Sequence, residues 1–118
     1  MAEAGLFIGW GQIVRGREAK GLGVFGDAVN FWTAQQASGA IEGFETVLLG
    51  PHGGDLAGFI LVRGSNEQIA AVRANEEFQR VNARAGAVVD GLGIIDAVLG
   101  DGIGPAMTIF QDVIAEFS

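Results

Sequence analysis

The chain is predicted to be α+β: one sheet with its helices gathered on a single face. Three observations carry this. Ile41–Leu49 and Leu56–Val62 are apolar stretches joined by the turn cluster Gly50-Pro51-His52-Gly53-Gly54-Asp55, the pattern of a β-hairpin. Ser65-Asn66-Glu67-Gln68 then opens a helix, with Ser65 as N-cap and Gln68 completing a capping box. Finally, a strand-like segment followed by a helix-spaced one precedes the hairpin, and a further strand and helix follow it. The order is β-α-β-β-α-β-α, and its simplest solution is the split β-α-β, or ferredoxin-like, sheet in one domain spanning 1–118.

Each element has its own reason. In Leu6–Val14, Leu6, Ile8, Trp10 and Val14 alternate with Phe7, Gly9, Gly11 and Ile13, so both faces are apolar or small and both should be covered. From Glu18 to Ala37, Leu22, Phe25, Val29 and Trp32 recur every three to four residues, which is helical spacing. Ser38-Gly39 ends that helix, with Gly39 suited to the left-handed position beyond its last turn. The helix after Ser65 carries Ile69, Val72, Phe78 and Val81 at uneven spacing, so a break near Asn75 is expected. Leu92–Leu99 has strand character, and Gly100-Asp101-Gly102 interrupts it. An extra C-terminal helix follows, with Pro105 in its first turn and Met107, Phe110, Val113, Ile114 and Phe117 on one stripe.

Composition narrows the partners. Of 118 residues, 49% are hydrophobic and 18% charged, so part of the apolar surface should meet another subunit. Helices on one face leave the other bare, and a second copy packed sheet to sheet would cover it, giving a homodimer or a higher assembly of dimers. A net charge of −7, with the seven basic residues scattered, argues against nucleic acid. No apolar run reaches the roughly 18 residues of a membrane span. The absence of cysteine fits a reducing, cytoplasmic setting, and Met1-Ala2-Glu3-Ala4 lacks the basic start of a signal peptide.

The stretch Leu49-Gly50-Pro51…Gly54-Asp55-Leu56-Ala57-Gly58-Phe59-Ile60-Leu61-Val62, with Ser65…Glu67 and Glu77-Phe78, resembles the YCII-related domains of the dimeric α+β barrel superfamily. The resemblance implies a ferredoxin-like fold and sheet-to-sheet dimerisation. That family's His–Asp pair has no counterpart here: the first helix lacks histidine, and Asn75-Glu76-Glu77-Phe78 stands where the family has Asp-Pro-Phe.

Candidates for chemistry are few. Gly21-Leu22-Gly23-Val24-Phe25-Gly26 matches the dinucleotide pattern G-x-G-x-x-G, with Glu42 downstream. Arg15–Lys20, however, separates it from the preceding strand, and a Gly-rich helix face close to the sheet is favoured. His52, the single histidine, sits in a turn; it and Arg17 are the weak catalytic candidates. One histidine and no cysteine leave no metal cluster of those residues, and no cofactor is expected. Glu42 and Glu45 point to opposite faces, Glu76 and Glu77 suit surface ion pairs with Arg73 and Arg80, and Asp90, Asp96 and Asp101 suit turns or caps.

Gly9, Gly11, Gly43 and Gly58 fall on strands, where missing side chains leave room for a pocket between sheet and helices. Trp10, Phe25, Trp32, Phe44 and Phe59 are its expected lining, with Gln12, Asn30 or Arg17 as polar anchors for a small apolar ligand. Close backbone approach between sheets explains the same glycines equally well. Three functions stay open: an apolar-ligand binder, a cofactor-independent enzyme (isomerase, lyase or oxygenase) of an aromatic or polyketide-like substrate, and a purely structural assembly protein.

Overall fold

The computed structural model describes residues 2–118. Strand β1 (Ala4–Trp10) leads to helix α1 (Glu18–Ala37), then strands β2 (Gly43–Leu48) and β3 (Gly58–Gly64). Helices α2 (Asn66–Ala74) and α3 (Glu76–Gly86), strand β4 (Gly93–Val98), a 3₁₀ turn at Gly100–Gly102 and helix α4 (Ile103–Glu116) follow. The strands lie in the order β2-β3-β1-β4, each antiparallel to its neighbours. β1 and β2 therefore run the same way with β3 inserted between them, the split β-α-β arrangement expected from the element order.

The helix ends follow local chemistry. At the end of α1 the Ala40 N–H donates to the Gln35 carbonyl and the Gly39 N–H to Gln36, with Gly39 at φ +80°: a complete Schellman motif. Ser65 accepts from the Gln68 N–H while the Gln68 side chain accepts from the Ser65 N–H, the reciprocal box expected from sequence. The break at Asn75 is also present. Asn75 is extended (φ −71°, ψ 125°), and its side chain accepts from the Phe78 N–H at 3.1 Å, starting α3 afresh. Without that second start, α2 would continue on its own axis and Phe78 would leave the core.

Register sorts the sheet into two faces. Leu6 pairs with Val62 and Asp96, and Ile8 with Ile60 and Ile94, so Ala4, Leu6, Ile8, Ile60 and Val62 share the helix-covered face. These join Trp32, Ile69, Val72, Phe78 and Val81 in the core. Ile41, just before β2, is also buried there. The opposite face carries Phe7, Val47, Phe59, Leu61, Ile95 and Ala97, and no element packs over its centre. Phe7 and Phe59 stack on it at 4.8 Å, and Ile95 is 56% exposed.

Several boundaries differ from expectation. β1 begins at Ala4 and ends at Trp10, because Gly11 leaves the main sheet to meet a second segment. Its N–H donates to the Asp90 carbonyl at 2.7 Å, Asp90 donates to Gln12, and Val14 donates to Val88. A side chain at Gly11 would sit 2.9 Å from the Asp90 carbonyl oxygen, so only glycine allows this approach. β3 also starts later than expected, at Gly58, and β4 spans only Gly93–Val98.

α4 stands apart. Among the described residues its main contact is with the adjacent 3₁₀ turn, it adds no residue to the core, and Ile103, Met107, Phe110, Ile114 and Phe117 are all exposed. The radius of gyration, 16.2 Å, exceeds the roughly 13–14 Å of a compact chain this long, as a projecting helix requires.

Candidate ligand-binding site

Between the sheet and the pair α1 and α3 lies an apolar cavity of about 300 Å³. Its floor is Ile8 and Ile60 on the sheet, and its inner end is Trp32. α1 contributes Gly21, Phe25 and Ala28; α3 contributes Val81, Asn82 and Ala85; Ile13, Val88 and Val89 close one side. Leu22 and Leu48, each more than two-thirds exposed, flank the opening. The cavity exists because the facing positions of the two helices hold small residues. Where they hold large ones, around Phe31, Trp32 and Phe78, the layers fill completely, with ring centroids 4.9–6.4 Å apart.

Among the lining residues no side chain is titratable, and Asn82 is the one with a polar amide; the two indoles supply the other polar groups. The chemistry available is therefore enclosure of apolar surface with one hydrogen-bonding amide. The volume falls at the lower end of small-molecule sites.

The expected lining residues divide. Trp10, Phe25 and Trp32 line the cavity, with Trp10 meeting Phe25 edge-on at 5.9 Å. Phe44 packs against the core without reaching the cavity, and Phe59 lies on the open face of the sheet. Asn30 is exposed on α1. Gln12 lines a separate polar cleft with Asp55 and Asp90, on the other side of Trp10. Alternation along β3 explains Phe59: Ile60 faces the helices, so its neighbour cannot.

The strand glycines do not make the cavity. A side chain at Gly58 would meet the Trp10 ring at 2.8 Å, and one at Gly9 would meet the Phe7 ring. Gly11 lies against backbone carbonyls, and Gly43 faces open space. Its space lies instead beside the small Ala28 on α1 and Ala85 on α3, since the place left by Gly21 is taken by Ile13. In the G-x-G-x-x-G stretch, a side chain at Gly21 would meet Ile13 at 3.0 Å, while one at Gly23 or Gly26 would meet nothing; the expected close face is thus confined to one glycine. All three lie inside α1 rather than at its N-terminus, where phosphate would be held.

His52 is fully occupied within the hairpin turn. Its Nδ1 accepts from the Gly54 N–H at 3.1 Å, so Nε2 carries the proton and donates to the Leu56 carbonyl at 2.6 Å. Arg17 precedes α1 and donates to the Ala87 carbonyl just past α3, where a cation favours the helix end. Neither side chain lines the cavity. Arg80 pairs with Glu76 and Glu77 as expected, but Arg73 reaches Asp96 on β4 at 2.8 Å and ties α2 to the edge strand. Among the described residues no group of three His, Cys, Asp or Glu side chains could hold a metal ion, and no helix is long and apolar enough to cross a membrane.

The missed lining residues, Gly21, Ala28, Val81, Asn82 and Ala85, left a faint sequence signal. Gly21, Phe25, Ala28 and Trp32 share one helical stripe, and its small members are where that stripe cannot fill the layer itself.

No family model and no curated protein matches the chain. Solved structures do. A dimeric protein of unknown function and ferredoxin-like fold from Bacteroides fragilis NCTC 9343 superposes with a TM-score of 0.60 at 12% identity, covering 81% of this chain and 96% of that one. A candidate antibiotic biosynthesis monooxygenase from Chloroflexus aurantiacus J-10-fl gives 0.53 at 14% identity, covering 84% and 95%. At these identities the likeness establishes the ferredoxin-like fold.

Proposed function

We propose that this chain binds a small, compact, largely apolar molecule between its sheet and α1 and α3, and does so as a homodimer joined through the open sheet faces. The cavity carries the first half: about 300 Å³ of apolar space reached past Leu22 and Leu48, with Asn82 to orient one carbonyl or hydroxyl. The second half draws on the open sheet face, where Ile95 is exposed and Phe7, Phe59 and Leu61 are half-buried, rimmed by the Glu45–Arg63 ion pair at 2.5 Å. The dimeric Bacteroides protein of the same fold supports it. The resemblance to YCII-related domains adds fold but no reaction, since Asn75 caps α3 and Phe78 fills the core. A cysteine-free chain suits a reducing cytoplasm.

The site contains its own reporter. The chain has two tryptophans and no tyrosine, and both Trp10 and Trp32 line the cavity. Mass spectrometry of the solvent extract of purified protein should yield an apolar compound, and titrating it back should change tryptophan fluorescence saturably. An empty extract, together with no saturable response to a panel of small aromatic and aliphatic probes, would refute the ligand reading.

The Chloroflexus neighbour favours a second reading, a cofactor-independent oxygenase acting on the bound molecule. Asn82 is then the residue to test. Loss of turnover with retained binding in Asn82→Ala would select the enzyme; turnover absent from both proteins would select the binder.

A further inference from the structure

α4 bears a seam that the rest of its own chain leaves uncovered. Ile103, Met107, Phe110, Ile114 and Phe117 are spaced 4, 3, 4 and 3 residues apart, the repeat of a two-stranded coiled-coil stripe. Every one is exposed, from 47% at Met107 to 85% at Phe117. Several large side chains on one helix face amount to an apolar patch on the order of several hundred Å², the size of the largest patch a lone soluble domain usually shows, and such patches are often functional.

The charges decide what fits it. Flanking the seam stand Gly104, Ala106, Gln111, Val113 and Ser118, none of them charged; the two acidic residues, Asp112 and Glu116, sit farther round the helix. A second α4 can approach such a seam without bringing like charges together. A membrane surface suits it poorly, because α4 has no Lys or Arg to meet anionic headgroups. Position agrees. A side chain at Gly5, on the open face, would lie 2.7 Å from Leu99, so the chain leaves β4 at the rim of that face.

From these features we infer that α4 is an assembly helix: it pairs through Ile103, Met107, Phe110, Ile114 and Phe117 with α4 of a second copy of this chain. Two heptads are too short to hold alone, so the pairing works as the second contact of molecules already joined at their sheets, where tethering raises the local concentration to the millimolar range. The inference thus rests on the sheet-to-sheet dimer but not on the ligand, since no residue of α4 lines the cavity.

Two measurements on the full chain test it. In sedimentation over a dilution series, Phe110→Asp should weaken the dimer by roughly a hundredfold while Asp112→Ala leaves it unchanged. The chain has no cysteine, so single replacements are clean. At least one of Met107→Cys, Phe110→Cys and Ile114→Cys should form an intermolecular disulfide about tenfold or more faster than Asp112→Cys. Circular dichroism should show every variant folded, because α4 makes no core contact. A dimer lost in Leu61→Asp but unchanged in Phe110→Asp, with no seam cysteine favoured, would overturn the α4 pairing and leave the sheet dimer standing. A wild-type chain monomeric at all concentrations would overturn both. One whose α4 instead binds phosphatidylglycerol vesicles, with loss of binding in Phe110→Asp, would overturn the pairing and assign the stripe to lipid.

Discussion

The two ends of the layer between α1, α3 and the sheet are built from the same elements and reach opposite outcomes. At one end Phe31, Trp32 and Phe78 interlock edge to face, and Trp32 is 1% exposed. At the other, the small Ala28 of α1 and Ala85 of α3 line about 300 Å³ of empty space. Helix separation is set by the large residues, because a rigid helix cannot collapse locally onto small ones. The packed end therefore props the hollow end open. Stability and the proposed binding thus fall largely to different residues of the same pair of helices, with Trp32 shared between them.

That division is open to experiment. Trp32→Ala should cost about 3–5 kcal/mol in urea unfolding, since it removes the prop. Val89→Ala, on a half-buried wall of the hollow end, should cost far less, and equal losses would show that the ends are not distinct. Ala85→Phe fills existing space instead of overpacking a full core. It should change stability by less than about 1 kcal/mol yet reduce ligand affinity by roughly a hundredfold in the fluorescence titration. Asn75→Ala should cost about 1 kcal/mol through the lost cap. If it also lowers affinity, the start of α3 positions both ends rather than the packed one alone.

Much of this was legible in the residues. The hairpin, the Ser65–Gln68 box, the break at Asn75 and the turn at Gly39 each rest on local chemistry, which needs no tertiary knowledge. So does the extra helix with its stripe. The lining of the cavity was half legible: Trp10, Phe25 and Trp32 follow from apolar periodicity. Phe44, Phe59, Gln12 and Asn30 lie away from the cavity, because residue type does not say which face of a strand or helix meets the hollow. The strand glycines misled for a related reason. A missing side chain leaves space only if nothing moves into it, and Trp10, Phe7 and the Asp90 carbonyl do. The void comes instead from small residues opposed across two helices far apart in sequence, a coincidence visible only once they are packed.

The bridge between 11–14 and 88–90 carries a consequence for traffic. It borders the cavity through Ile13, Val88 and Val89, yet it hangs on three backbone hydrogen bonds outside the sheet. So short a latch unfastens at lower free energy than the domain unfolds. Amide protons of Gly11, Val14 and Asp90 should accordingly exchange with deuterium well before those of Leu6 and Ile8, and a bound guest should slow the first group alone. Entry would then be governed by how often this clasp springs, and the residence time of the guest by how firmly it shuts.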